Sequence, residues 1–136
     1  MAQGNGGIIG PVNVTSKGKD TISTFTSSGT VTTQPGTKLV DTLIVAGGGS
    51  GARVNGGGGA GGALLSQSNP VTGNTPYTIT VGGGGAAVTS DNNRGNSGNN
   101  SLFVNPASPQ TAIAGGGGGR NCQGTPGEGP GLAAGS

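Results

Sequence analysis

Residues 38–62 read KLVDTLIVAGGGSGARVNGGGGAGG, a strand-like run that passes directly into a glycine tract. In the part LVDTLIVA, apolar residues occupy both alternating sets of positions, interrupted by Asp41. This pattern is typical of a strand buried on both faces, with Asp41 near an edge of the sheet. The tract that follows is not helical, since glycine in a helix costs about 1 kcal/mol relative to alanine. We therefore expect a fold of short strands that alternate with extended glycine tracts.

The stretch preceding this run predicts a β-hairpin over residues 21–46. The sequence TISTFT at 21–26 is rich in residues that favour strands. The sequence QPGT at 34–37 has turn chemistry, because proline fixes φ and the glycine after it accepts a positive φ. In this hairpin, the strand-like stretch that begins at residue 21 would pair, across the turn at 34–37, with the strand that enters the glycine tract.

Three more strand-like stretches follow along the chain. YTITV at 77–81 alternates apolar and polar residues, as a half-buried strand does. SLFV at 101–104 and TAIA at 111–114 are shorter, and further glycine tracts begin at Gly82 and Gly115. The predicted fold class is all-β, with strands alternating with glycine tracts and no helices.

The composition limits the core that this chain can build. Of 136 residues, 34 are glycine, whereas only 29% are hydrophobic and 2% aromatic. Typical globular domains are about 45–50% apolar with glycine included, so few large side chains are available for burial here. Conventional side-chain packing is therefore not expected to be the main source of stability.

Catalysis and metal binding are not expected from these residue types. The chain has no histidine to activate a nucleophile, and its four carboxylates are dispersed. Cys122 is the single cysteine, so neither an intrachain disulfide nor a cysteine metal cluster is available. We expect a non-enzymatic protein without catalytic residues, metal or cofactor.

The charge pattern gives no sign of nucleic-acid or membrane binding. The net charge is +2, and the six basic residues are scattered rather than clustered. The sequence has no run approaching the roughly 20 apolar residues of a membrane span, and no secretory signal at its start.

The glycine tracts admit four interpretations. The spacings Gly47-x-Gly49-x-x-Ala52 and Gly56-x-Gly58-x-x-Gly61 fit a dinucleotide fingerprint, but no helix follows to receive a pyrophosphate. Collagen requires glycine at every third position without interruption, which the tracts do not maintain. A flexible linker remains open, although linkers do not need the interleaved apolar strands.

The fourth interpretation is a packed array of glycine strands in polyproline II geometry. Such strands have no internal hydrogen bonds, so their buried amide groups must pair with neighbouring strands. Glycine is required because only a missing side chain lets backbones approach so closely. Ordering costs about 1–2 kcal/mol per residue, and we therefore expect association between copies to help order the array.

Residues 1–20 form an extended, polar N-terminal arm, followed by a glycine-rich β domain over residues 21–136. The arm carries an apolar cluster that is the candidate virion-docking site of the interpretation below. Its members are Ile8, Ile9, Pro11, Val12 and Val14. One hypothesis is that they dock on a partner, and the other is that they fold back onto the chain's own strands.

The order of landmarks resembles the glycine-rich domain of bacteriophage tail-fibre and virion-surface proteins. The resemblance rests on LIVAGGG at 43–49, YTITVG at 77–82 and GNNSLF at 98–103, together with the tracts between them. The arm GNGGIIGPVN at 4–13 resembles short N-terminal peptides of marine and cyanobacterial phage structural proteins.

The resemblance implies a non-catalytic structural protein on the virion surface, a tail fibre or appendage attached through its arm. Its partners would be tail or capsid proteins and copies of itself, in a homotrimer. The chain would then be either short or the N-terminal part of a longer fibre. A capsid decoration or head-fibre protein is the alternative location.

The sequence also admits two functions of other classes. A glycan- or receptor-binding adhesin would use the polar loop at 91–100, where amide and carboxylate side chains suit sugar hydroxyls. Its candidate contact residues are Asp91, Asn92, Asn93, Arg94, Asn96 and Asn99. The same composition is also typical of an ordinary exposed turn. An ice-binding or matrix protein would require regularly spaced tracts, which the sequence lacks.

Overall fold

The computed structural model describes residues 8–9, 21–54, 56–91 and 93–120. This described part is all-β and contains no helix, which confirms the predicted fold class. Its strands are β1 (Ile8–Ile9), β2 (Gly29–Thr33), β3 (Leu39–Val45), β4 (Ala63–Pro70), β5 (Pro76–Thr80), β6 (Ser101–Val104) and β7 (Gln110–Ala112). None of it forms a helix long and apolar enough to cross a membrane.

The strands form two sheets. The larger sheet has the order β1-β2-β5-β6-β7, and the smaller one pairs β3 with β4. In the larger sheet β2 and β5 are antiparallel with Val31 opposite Tyr77, and β5 and β6 are antiparallel with Ile79 opposite Phe103. Neighbours in this sheet are therefore mostly distant in sequence.

The predicted hairpin over residues 21–46 is wrong in its pairing, although its turn is correct. Gly36 has φ of 88°, and the amide of Thr37 donates to the carbonyl of Gln34 at 3.1 Å. The strands on either side of this turn nevertheless enter different sheets, and residues 21–26 lie outside any strand. Proline and glycine chemistry fixes the reversal of the chain, but distant strands supply the hydrogen-bond partners.

Strand β3 is buried on one face, not on both as its sequence predicts. Val40 is only 7% exposed, whereas Leu39 and Leu43 on the opposite face are 56% and 69% exposed. On β4, Leu65 is also exposed, at 68%. The apolar character of LVDTLIVA therefore reflects one packed face and one face that this chain leaves uncovered.

A β-bulge interrupts the pairing of β3 with β4. The flanking bonds run from Val71 N–H to Lys38 O at 2.8 Å and from Ala46 N–H to Gly62 O at 2.9 Å. Eight residue steps separate the bonded positions on the β3 side and nine on the β4 side, so β4 carries one extra residue. Ser68 has a positive φ of 55°, and its amide donates to Oδ1 of Asp41 at 2.7 Å. The exposed carboxylate thus satisfies the backbone of the bulge.

The chain divides into two units, which are described separately. Unit 1 comprises Met1–Leu43, Leu65–Thr80 and Leu102–Gln110, and unit 2 comprises Ile44–Leu64, Val81–Ser101 and Thr111–Ser136.

Unit 1 has a small aromatic core. Val31, Tyr77 and Phe103 are 2%, 5% and 3% exposed, and the two rings lie 5.5 Å apart in a tilted arrangement. This geometry is typical of favourable aromatic pairs. The hydroxyl of Tyr77 accepts a hydrogen bond from the amide of Thr72 at 2.7 Å, so the polar end of the buried side chain is satisfied.

Buried polar side chains complete this unit in place of a larger apolar core. Asn69, which is 3% exposed, donates to the carbonyls of Val40 and Ser66 at 3.1 Å each and accepts from Ser66 Oγ at 2.9 Å. Thr42 Oγ1 hydrogen-bonds to Oε1 of the buried Gln110. Each bond satisfies a group that would be costly to leave unpaired.

The candidate docking arm is described only at Ile8–Ile9. These residues form β1 and pair antiparallel with β2, with Ile8 opposite Thr33 and Ile9 opposite Thr32. The backbone at this position therefore follows the fold-back hypothesis. Pro11, Val12 and Val14 lie outside the described residues, and docking through them stays a prediction.

Candidate functional site

Five glycine-containing segments of unit 2 run past one another and are joined by backbone hydrogen bonds. We name them in chain order segment I (46–52), segment II (56–62), segment III (82–87), segment IV (93–100) and segment V (113–119). Together they are called the glycine bundle. Within it, backbone amides of one segment donate to carbonyls of another.

Segments I and II show the repeat of the bundle most clearly. Their bonds are Ala46 N–H to Gly62 O at 2.9 Å, Gly49 N–H to Gly59 O at 2.8 Å and Ala52 N–H to Gly56 O at 2.8 Å. The bonded positions advance by three residues in segment I while they retreat by three in segment II. The segments are therefore antiparallel, and each has the three-residue turn of a polyproline II helix.

Segment V lies between three neighbours. It donates to segment I through the amides of Gly115 and Gly118, both at 2.9 Å. It also accepts two bonds from segment II and two from segment IV. These are Gly59 N–H to Gly116 O, Gly62 N–H to Ile113 O, Gly95 N–H to Gly118 O and Gly98 N–H to Gly115 O, at 2.8–3.0 Å. Residues 115–118 are buried, although they carry no side chain.

Segments III and IV complete the bundle around segment I. The bonds to segment I are Gly47 N–H to Asn99 O, Ser50 N–H to Asn96 O and Gly85 N–H to Gly48 O, at 2.8–3.0 Å. Segment III also accepts from segment IV, through Asn99 N–H to Gly83 O at 2.9 Å. Segment I thus hydrogen-bonds to all four other segments, and every partner is supplied by the same chain.

The requirement for glycine follows from these close approaches. A Cβ added at Gly117 would lie 1.9 Å from the carbonyl oxygen of Gly95, and one at Gly49 would lie 2.0 Å from that of Gly116. At Gly57 a Cβ would meet nothing within 4 Å. Alanine stands at residue 60, one three-residue turn further along segment II, and is exposed. Side chains are therefore tolerated on the outward row and excluded from the inward rows.

The backbone dihedrals agree with this geometry. Among the described glycines, only Gly36 has a φ in the positive region. Free glycine populates positive and negative φ about equally, so the lack of positive-region values among the bundle glycines indicates one imposed conformation. Polyproline II has φ near −75°.

A few polar side chains connect the segments. Ser50 Oγ accepts from the amide of Asn96 at 2.8 Å, and Asn96 Nδ2 donates to the carbonyl of Ala86 at 2.9 Å. Asn100 Oδ1 accepts from the amide of Ala114 at 2.9 Å. These side chains extend the backbone network from segment IV to segments I, III and V.

The candidate receptor-contact residues lie in segment IV and immediately before it in the chain. Asn96 and Asn99 belong to segment IV, where their backbones take part in the bundle. Asp91 forms an ion pair with Arg53, with 3.1 Å between Oδ1 and Nε, and both side chains are more than half exposed.

The other three candidate residues are Asn92, Asn93 and Arg94. Arg53 also donates to the carbonyl of Thr89 at 2.8 Å. Asn93 and Arg94 are exposed, while Asn92 lies outside the described residues. The five described members of the candidate set are all exposed, and their contact with a receptor stays a prediction.

The structural role of segment IV was missed by sequence reasoning, although a signal was present. Residues 95–100 read GNSGNN, with glycine at every third position. Gly95 and Gly98 are the inward residues, where a Cβ would lie 2.0 Å and 2.3 Å from carbonyl oxygens of segment I. The polar composition is typical of a ligand-contact loop, whereas the triplet spacing indicates a polyproline II strand.

Within the described ranges, no three His, Cys, Asp or Glu residues come together as metal ligands. The dinucleotide spacings of the sequence lie within segments I and II, which are held by their neighbours through backbone bonds. The linker interpretation does not fit the described tracts, because these bonds fix them. The chemistry of the site is therefore a network of backbone N–H groups bonded to backbone carbonyls of neighbouring segments.

The family model of a glycine-rich domain matches residues 22–136, which is most of the chain. The chain belongs to this glycine-rich domain family. No curated protein and no solved structure matches the glycine-rich domain described here. The bundle gives a physical meaning to the family description, because the glycines are the contacts that hold unit 2 together.

Proposed function

We propose that this glycine-rich domain is a non-catalytic structural protein of a bacteriophage particle, a tail fibre or appendage on the virion surface. The observation that supports the proposal is the glycine bundle, in which five segments of one chain are fixed by backbone hydrogen bonds. Such a module is suited to spacing and display, because its stability does not depend on a large apolar core. The phage assignment itself rests on the resemblance of the landmark sequences.

The physical argument concerns rigidity and exposure. Appendages are surrounded by solvent and host proteases, and cleavage requires a segment to open locally. The buried segment V would have to lose six interstrand bonds at 2.8–3.0 Å before residues 113–118 became accessible. A bundle closed within one chain meets this demand without a large apolar core.

Attachment is proposed to occur through the N-terminal arm, residues 1–20. Strand β1 anchors the arm to β2, and the apolar residues Val12 and Val14 follow it in the sequence. The partners would be tail or capsid proteins, and the oligomer a homotrimer. Host glycan contact is a weaker candidate, because Asn96 and Asn99 serve the bundle.

The test uses particles of the phage that encodes the chain. Gold-labelled antibody against the protein should mark the particle surface in electron micrographs. Replacing both valines, Val12→Asp with Val14→Asp, should abolish labelling while strand β1 is kept. Gly57→Ala, on the outward row of segment II, is the matched control and should label normally. Wild-type particles without label would contradict the proposed function. Normal labelling of particles with the double variant would contradict attachment through the arm.

A further inference from the structure

The groove that holds segment V is defined by three walls. Segment I offers the carbonyls of Gly47 and Ser50 as acceptors. Segments II and IV offer amides as donors. The donors are Gly59 and Gly62 of segment II and Gly95 and Gly98 of segment IV, and all six bonds to segment V measure 2.8–3.0 Å.

The groove selects its occupant by backbone alone. A Cβ would lie 2.2 Å from Gly59 O at Gly115, 1.9 Å from Gly95 O at Gly117 and 2.6 Å from Gly56 O at Gly118. Side chains are therefore excluded towards segment II at Gly115 and Gly118 and towards segment IV at Gly117, and the six bonds require an extended strand with three residues per turn. The ligand class is a run of consecutive glycines in polyproline II conformation.

Segment V can leave without breaking the connections among the others. The bonds of segment I to segments II, III and IV, and those between segments III and IV, do not involve it. Segment V is also the last of the five along the chain, separated from segment IV by β6 and β7. Its removal would empty a preformed groove rather than dismantle the bundle.

We propose that this groove accepts segment V of a second copy, so that copies are joined by exchange of a glycine strand. A second copy presents the same amides and carbonyls, and the bonds made in exchange equal those of the closed chain. The balance between the two arrangements is then set by the effective concentration of the chain's own segment against that of its neighbours. The inference does not depend on the virion assignment.

The first experiment offers the strand as a peptide. The acceptor is the full chain carrying Gly117→Ala, whose own segment V no longer fits, and the probe is a fluorescent peptide of residues 110–120, QTAIAGGGGGR. We expect saturable one-to-one binding by fluorescence anisotropy. A matched peptide carrying Gly117→Ala should bind at least about tenfold more weakly, because its added methyl group meets the Gly95 carbonyl.

The second experiment tests exchange between copies. The Gly117→Ala chain keeps its groove, whereas a Gly58→Ala chain keeps segment V but has a Cβ 2.1 Å from Gly49 O in its groove wall. Mixing them should give a heterodimer by light scattering and restore slow amide exchange in the bundle, which neither variant shows alone. Mixed Gly57→Ala and Gly117→Ala chains are the control, and they should associate more weakly because the intact groove of the Gly57→Ala chain retains its own segment V.

Two results would overturn the proposal. One is absence of peptide binding while circular dichroism and the protected amides of β2 and β5 show that the acceptor is folded. If Gly117→Ala does not fold, the wild-type chain decides the question. Two differently tagged wild-type populations, incubated at high concentration, should co-purify, and their failure to do so would exclude exchange.

Discussion

Adding one methyl group inside the glycine bundle should be far more damaging than adding it outside. Gly49→Ala places a Cβ 2.0 Å from Gly116 O, whereas ordinary contact begins at 3.4 Å. Segments I and V would have to separate by about 1.4 Å to relieve this overlap. The bonds from Gly115 to Gly47 and from Gly118 to Ser50, both 2.9 Å, would then exceed hydrogen-bonding distance.

The expected magnitude follows from those two bonds. Each buried group left without its partner costs about 1–3 kcal/mol. Alanine also restricts the unfolded chain, which offsets roughly 0.4–1 kcal/mol of the loss. We expect Gly49→Ala to lower the free energy of unfolding by about 1–5 kcal/mol, a substantial share of the ~5–15 kcal/mol typical of a native protein.

The matched control is Gly57→Ala, the same substitution on the outward row of segment II. A Cβ there meets nothing within 4 Å and φ is not positive, so only the effect on the unfolded chain remains. We expect stabilisation of about 0.4–1 kcal/mol. Urea titration of both variants, with amide exchange to locate the change in the bundle, is the assay. Equal midpoints for Gly49→Ala and Gly57→Ala would refute the close-packing argument.

Three further outcomes are expected from substitutions elsewhere. Gly36→Ala forces a φ of 88° on a residue with a side chain and should destabilise by about 1–2 kcal/mol in urea titration, although its Cβ meets open space. Asn69→Ala leaves buried carbonyls unpaired and should lower the thermal midpoint, consistent with about 2–3 kcal/mol; an unchanged midpoint would remove the polar network from the account. Ser50→Ala deletes the acceptor of the Asn96 amide and should cost about 1 kcal/mol, seen as faster exchange of that amide alone.

The exposed leucines of the β3–β4 pair show where sequence patterns are ambiguous. LVDTLIVA predicts burial on both faces, yet Leu39 and Leu43 face solvent in the single chain. The hydrophobic side chains indicate that burial of this face would be favourable, but they do not indicate whether the same chain supplies the residues that bury it. Only the position of the other elements decides which face is packed.

The position of segment V illustrates a second limit. Five consecutive glycines from residue 115 are visible in the sequence, and glycine at every third position is visible at 95–100. The first pattern belongs to the buried segment with three neighbours, and the second to a segment with polar side chains on its outward rows. The number of glycines indicates crowding, but their partners lie up to about 70 residues away and follow no local rule.

The sequence by itself determined the local conformation of this protein. Proline and glycine at 34–37 set a turn, alternation at 77–81 set a strand, and the density of glycine excluded helices and required close backbone contact. These features depend on dihedral preferences of a few neighbouring residues.

Only the tertiary structure decided which segments pair. Strand β2 pairs with β5 and not with β3, and segment V bonds to segments I, II and IV. Local sequence does not specify these partners, because backbone amides are chemically identical along the chain. Selection among identical donors and acceptors depends on which arrangement satisfies all of them at once while leaving no room for a Cβ. That condition belongs to the whole fold and cannot be read from any one stretch of residues.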